Sequence, residues 1–229
     1  MQPAGEPMNT ELYDNFSNEV YQATACYVMW KYLQNEPAAD DQLLKAMNRS
    51  PLSWIMFRHT SMLGLIMALG RIFDTDGESA SIFALINSCT ENVGAFSKAS
   101  LRERKLRQPD AQKWIDQYML NVHEPSAADF HKLRPSIKKN REIYDQFYKP
   151  LRHNLFAHRS QSHLNKENDL WKATSGANIE DVLDFLNDFD ATLRDSYNNG
   201  RPPELQGRKI DEDWFAKDIK SLLQSIKDA

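Results

Sequence analysis

Met62-Leu63-Gly64-Leu65-Ile66-Met67-Ala68-Leu69-Gly70-Arg71-Ile72-Phe73 is the stretch that decides the fold class. Its apolar residues fall on nearly every side of a 3.6-residue period, and no polar residue alternates with them as in a half-buried strand. A helix apolar all round has to be wrapped by other elements. The stretch therefore predicts the buried central helix of an all-helical bundle. Ser50-Pro51 opens it, with serine as the cap and proline at a first-turn position whose N–H is not needed. Asp76-Gly77 makes a turn after it.

On the N-terminal side, Tyr13, Phe16, Val20, Ala23, Tyr27 and Trp30 recur at three- and four-residue steps and form one apolar helix face. Thr10 is the expected N-cap with Glu11 in the first turn, and Asn35-Glu36-Pro37 the expected end. On the C-terminal side, Ser79 or Ser81 caps a short helix through Ile82, Leu85 and Ile86. Residues 91–107 read as a helix that turns basic. Pro109 starts another through Trp114, Ile115, Tyr118 and Met119. Phe130, Leu133, Ile137, Tyr144, Phe147, Leu151 and Leu155 then make a long helical pattern. Pro135 and Pro150 interrupt it, so a kink or break is expected at each. Residues 161–177 are polar and read as a loop. Asn178 opens a helix through Val182, Leu186, Phe189 and Leu193, which Asn198-Asn199-Gly200 ends. A last helix from Asp211 carries Phe215, Ile219, Leu222 and Ile226.

The reading is an all-α bundle of about seven to nine helices, in which a kinked long helix reaches Leu155. It makes one domain over residues 10–229, with its core in 10–195 and a C-terminal helix near 211–227, behind a loose tail 1–9. A chain of 229 residues buries a sizeable core without needing disulfides or a metal. The cysteines, Cys26 and Cys89, form no Cys-x-x-Cys pair and read as buried free thiols of a reducing compartment. The N-terminus lacks the basic and apolar regions of a signal peptide. The uncharged apolar run Thr60–Gly70 is shorter than the roughly 20 residues that cross a bilayer. The expectation is a cytoplasmic protein with no membrane partner.

Charge is unevenly placed. Residues 1–97 carry a net −6, residues 98–172 a net +7 and residues 173–229 a net −5. The basic third suits a polyanionic partner, although charge runs also serve as solvated helix faces. Within it lies Arg152-His153-Asn154-Leu155-Phe156-Ala157-His158. Arginine is always charged and presents a planar fork that matches phosphate oxygens. Histidine can give or take a proton near neutrality. Together they can cleave a phosphodiester without a metal, one group moving a proton and the other holding the developing charge. On a straight helix Arg152 and His158 would point about 120° apart, at 3.6 residues per turn. Either the Pro150 kink or a two-fold dimer that pools both copies would be needed to bring them to one point.

An arginine, a polar residue and a following histidine late in a helical bundle resemble the HEPN superfamily. Two segments look like its AbiU-type abortive-infection branch: Leu69-Gly70-Arg71-Ile72-Phe73-Asp74 with Ser79 and Ser81 following, and Leu151 to Arg159. The resemblance implies a homodimer with RNA as substrate, cut without cofactor or metal by Arg152 and His158 in the dimer cleft. It implies a toxin or phage-defence role, with an antitoxin or other protein partner. His153, Asn154, Arg71 and Asp74 take supporting places. The chain departs from the branch at Arg159-Ser160, where a carboxylate often follows the histidine. No tyrosine closely follows His158, which argues against the partner-nucleotidyltransferase modification known in some relatives.

Other readings stand beside these. His158 could be a helix-end histidine bonded to a carbonyl. Arg152 could pair with Asp145 or Glu142, and Arg71 with Asp74 three residues on. His153, His158 and His163 are spaced by five, which does not place metal ligands on one helix face. Trp54, Trp114 and Trp171 lie on apolar stripes and read as core rather than as base-stacking platforms. As an alternative function, a non-catalytic helical dimer would bind nucleic acid, a nucleotide or a protein.

Overall fold

A computed structural model describes residues 9–76, 79–153 and 176–228. Among them the chain is helical with no strand, as the periodicity requires. Asn154, His158, Gly77, residues 1–8 and the polar stretch 161–175 lie outside the described residues.

The helices are α1 (Thr10–Ala39), α2 (Asp41–Met47), α3 (Pro51–Ile72), α4 (Ile82–Glu91), α5 (Lys98–Leu106), α6 (Ile115–Leu120), α7 (Ala127–His131), α8 (Arg134–Ile143), α9 (Lys149–Leu151), α10 (Gly176–Asn199) and α11 (Asp213–Asp228). Chain contacts divide them into two compact units. One holds residues 1–17, 72–143 and 184–209, and the other holds 18–71, 144–183 and 210–229.

In the first unit, Phe16 meets Phe189 edge to face at 5.6 Å, and Phe96 meets Phe130 at 4.7 Å. Such pairs add to the area that the rings bury. Ser126 and Asp129 form a capping box at the start of α7, where their side chains satisfy N–H groups that the helix leaves open. Pro135 lies one residue inside α8, where its missing N–H costs nothing, so the chain breaks before it rather than kinking at it.

In the second unit, Tyr27, Val28, Leu65, Ile66, Leu69, Tyr148 and Leu151 are buried. Lys31 bridges Glu180 at 3.1 Å and Glu212 at 2.7 Å, and the Tyr27 hydroxyl donates to Glu180. Burial and that carboxylate push the Tyr27 phenol well above its ordinary range. Helix α11 packs on α2, with Lys227 on Asp40 at 2.6 Å.

Local capping corrects three expectations. Asn9, not Thr10, caps α1, accepting from the Leu12 N–H at 3.0 Å. Pro37 does not end α1, which runs on to Ala39. A proline this near the C-terminus costs the helix one N–H, the one that would reach the Leu33 carbonyl, and the last turn continues past it. Helix α2 went unforeseen because its seven residues are too few for a periodic signal. Its marker is Asp40, whose carboxylate accepts from the Gln42 and Leu43 N–H groups.

Helix α3 is only partly the buried helix expected. Leu65, Ile66, Ala68 and Leu69 are buried, but its first turns expose Leu52, Ile55, Met56 and Phe57. By length and composition α3 could cross a membrane. Its second half is packed, however, and Arg58 donates to Gln34 of α1 at 2.8 Å.

Candidate functional site

The site begins with a proline. Pro150 has no N–H to donate and its ring crowds the carbonyl four residues back. The chain answers with a π-helical turn over Tyr144–Tyr148, in which hydrogen bonds skip one extra residue. The kink expected at Pro150 is thus a widening just ahead of it. Tyr148 and Leu151 are buried on the far side of that turn, and burial pushes the Tyr148 phenol well above its ordinary range. They leave Arg152 half-buried at the end of α9, with His153 exposed beside it.

Arg152 lies on the last turn of α3. Its Nη1 donates to the Gly70 carbonyl at 3.5 Å. That carbonyl is one of the four that any helix leaves unpaired at its C-terminal end, where the macrodipole also favours a cation. The approach is close because residue 70 has no side chain: a Cβ there would stand 2.6 Å from Arg152 Nε and 2.8 Å from its Cζ. Among the described residues, no carboxylate pairs with Arg152. Asp145 takes Lys149 at 3.3 Å and Glu142 takes Lys138 at 4.0 Å, so neither is the ion-pair partner that the sequence offered.

The structure therefore brings together the two segments singled out in the sequence, through Gly70 and Arg152. Gly70 stood inside the first segment without a role. Its signal was a glycine late in an apolar helix, which marks close approach by another group.

Arg71 is engaged elsewhere. Its Nε and Nη2 clasp Glu19 of α1 at 2.6 Å and 2.8 Å, and Nη2 also reaches Gln22 at 3.3 Å. This two-pronged contact raises the Arg71 pKa further. The expected Arg71–Asp74 pair is replaced by it, and Asp74 instead accepts from the Asp76 N–H at 3.1 Å and shapes the turn after α3. Glu19 was not foreseen, because nothing in a linear pattern links position 19 to position 71.

Cys26 and Cys89 are free thiols, with Cys89 fully buried and pushed up to about 12 by desolvation. No cluster of three metal-ligating side chains occurs among the described residues.

A family model, HEPN_AbiU2 (AbiU2), matches residues 10–201, well over half the chain and including both segments that meet at Gly70. No curated protein and no solved structure matches.

Proposed function

The chain belongs to the HEPN AbiU2 family, an abortive-infection HEPN type, and from that premise we propose that it cuts RNA without a metal ion, as a homodimer with Arg152 and His158 of both copies in the dimer cleft. The observation that carries this reading is Arg152 itself. It is half-buried, seated on Gly70 and free of any carboxylate partner among the described residues. A guanidinium held in place with its charge unspent is what an anionic transition state needs.

In the reaction, the ribose 2′-oxygen attacks the adjacent phosphorus as a histidine takes its proton. The bond from phosphorus to the 5′-oxygen breaks, and that oxygen receives a proton. The products are a 2′,3′-cyclic phosphate and a 5′-hydroxyl. His158 moves the proton, and Arg152 stabilises the charge gathering on the phosphoryl oxygens. Two copies would supply both a proton acceptor and a proton donor. The exposed apolar start of α3, with Leu52, Met56 and Phe57, offers a surface that a second copy could cover. We place the protein in the cytoplasm as a toxin-like defence component, with an antitoxin or other protein as its restraint.

The test incubates full-length wild type and His158→Ala with mixed single-stranded and structured RNA in EDTA, followed by analysis of product ends. Cyclic-phosphate ends from the wild type alone are the expected result. Cleavage retained by His158→Ala would overturn the assignment of the proton-moving group. Binding of RNA without cleavage by either protein would favour the non-catalytic alternative.

A further inference from the structure

The first unit contains a cleft of about 720 Å³ that the proposed chemistry does not use. Helix α6 and its two cap residues line one wall: Gln117 and Tyr118 from the helix, Trp114 and Asn121 from its caps, spaced three and four apart along the chain. The opposite wall is the turn after α10. Gly200 adopts φ +62 there, and a Cβ at that position would stand 2.6 Å from Val122 and 2.7 Å from Leu101. Glycine alone lets this turn sit so close to the end of α6, and the next residue, Arg201, is thereby set on the rim of the cleft.

Several of the groups that line the cleft have no side-chain hydrogen bond or ion pair among the described residues. Trp114 is half-buried rather than in the core, correcting its reading as a core residue. The Tyr118 ring meets it edge to face at 5.6 Å and is fixed by its hydroxyl, which donates to the Asn199 carbonyl at 3.0 Å. Gln117 and Asn121 are exposed, with no side-chain partner among the described residues, and no carboxylate there pairs with Arg201. Lys105 of α5 adds a second cation, 5.4 Å from the Tyr118 ring centre. The carboxylates of the neighbourhood are already engaged: Asp116 with Arg102 at 2.7 Å, and Asp195 with Arg208 at 2.8 Å.

We infer that this cleft binds one nucleotide of a single-stranded RNA, with the base on Trp114 and Tyr118, its edge read by Gln117 and Asn121, and the adjoining phosphate on Arg201. The inference deepens the RNA-cleaving reading and rests on it for the identity of the strand. An aromatic platform takes any base by its face, amides can both donate to and accept from a base edge, and a guanidinium fork fits phosphate oxygens. The volume of the cleft is within the range of small-ligand sites. The same unit holds much of the basic stretch 98–107, although Arg104 is spent on the Ala95 and Tyr197 carbonyls and Arg107 on Glu103.

The test measures binding rather than cleavage. Full-length protein carrying His158→Ala, so that no strand is cut, is titrated against a fluorescein-labelled ten-nucleotide adenylate RNA and followed by anisotropy at several salt concentrations. Adding Trp114→Ala should weaken binding about tenfold, the scale of one base-on-aromatic stack. Trp114→Phe should recover most of that loss. Arg201→Ala should reduce the slope of log affinity on log salt by about 0.7, as for one lost phosphate contact on a single strand. Wild-type affinity and salt slope in folded Trp114→Ala and Arg201→Ala would overturn the site. Competition by AMP with the affinity of the oligomer would overturn the strand as its occupant. Tight binding that depends on Trp114, beside a wild type that cuts none of the same RNA, would leave the cleft standing while the ribonuclease reading fell.

Discussion

Two arginines reach the last turns of α3 and meet opposite fates. Arg71 projects from the helix and closes both prongs of its guanidinium on the Glu19 carboxylate. Arg152 arrives from α9, lies across Gly70 and, among the described residues, finds one long bond to a carbonyl. The first arginine is a tie between α1 and α3, with its charge neutralised where it stands. The second is positioned, and no carboxylate among the described residues neutralises it. Catalysis of phosphoryl chemistry draws on the second arrangement, since a cation already paired has little left to give a developing anion.

The contrast is tested most severely at Arg152 itself. Arg152→Ala should lower RNA cleavage about a thousandfold, the upper end of what losing one oxyanion donor costs, with little change in melting temperature. Arg152→Lys should recover little, because a point charge cannot reproduce the planar fork. Product-end analysis in EDTA beside thermal melts would check both, and cleavage within tenfold of wild type would remove Arg152 from the chemistry.

Gly70→Ala probes the seat rather than the arginine. The new methyl would stand where the Arg152 side chain lies, and the far end of that flexible chain can give way. Cleavage should fall about a hundredfold, as expected for a catalytic group moved by about an ångström. The melting temperature should hold or rise, because alanine is favoured over glycine inside a helix by about 1 kcal/mol. A variant that loses stability in step with activity would mean that Gly70 serves packing alone.

Glu19→Gln makes the Arg71 corner resemble the Arg152 corner. The pair is partly exposed, with 43% of the Arg71 side chain and 24% of the Glu19 side chain accessible. Solvent screening therefore keeps the expected loss to about 1 kcal/mol, or roughly 2–4 °C in melting temperature for a chain of this size. Cleavage should stay within about twofold of wild type. A large loss of activity would bring the Arg71 corner into the site after all.

The helical class was legible because apolar periodicity is a local property, and α1, α3, α10 and α11 each carry it over sixteen residues or more. Which side of a helix faces water was less legible. Helix α3 carries apolar residues at both ends, Leu52 to Phe57 and Met62 to Leu69, yet its buried residues all lie in the second half, since burial depends on what the rest of the chain places beside it. The candidate site was legible in part. Arg152 and the Leu69–Asp74 segment could be singled out by residue type, but their meeting depends on a non-local contact, as does the Arg71–Glu19 clasp. Trp114 misled for a related reason: the stripe it shares with Tyr118 is apolar in sequence, and only the Gly200 turn makes it the wall of a cleft.

The π-helical turn at Tyr144–Tyr148 acts as a phase setting. One residue beyond the α-helical count has been let into the spiral, and every side chain after it is turned by about 100° relative to an uninterrupted helix. Arg152 meets Gly70 only at that phase. Removing one residue from the turn would shift that phase back and swing Arg152 off its seat with no change of composition at the site. The reach of the arginine is thus written as a length, upstream of the arginine itself.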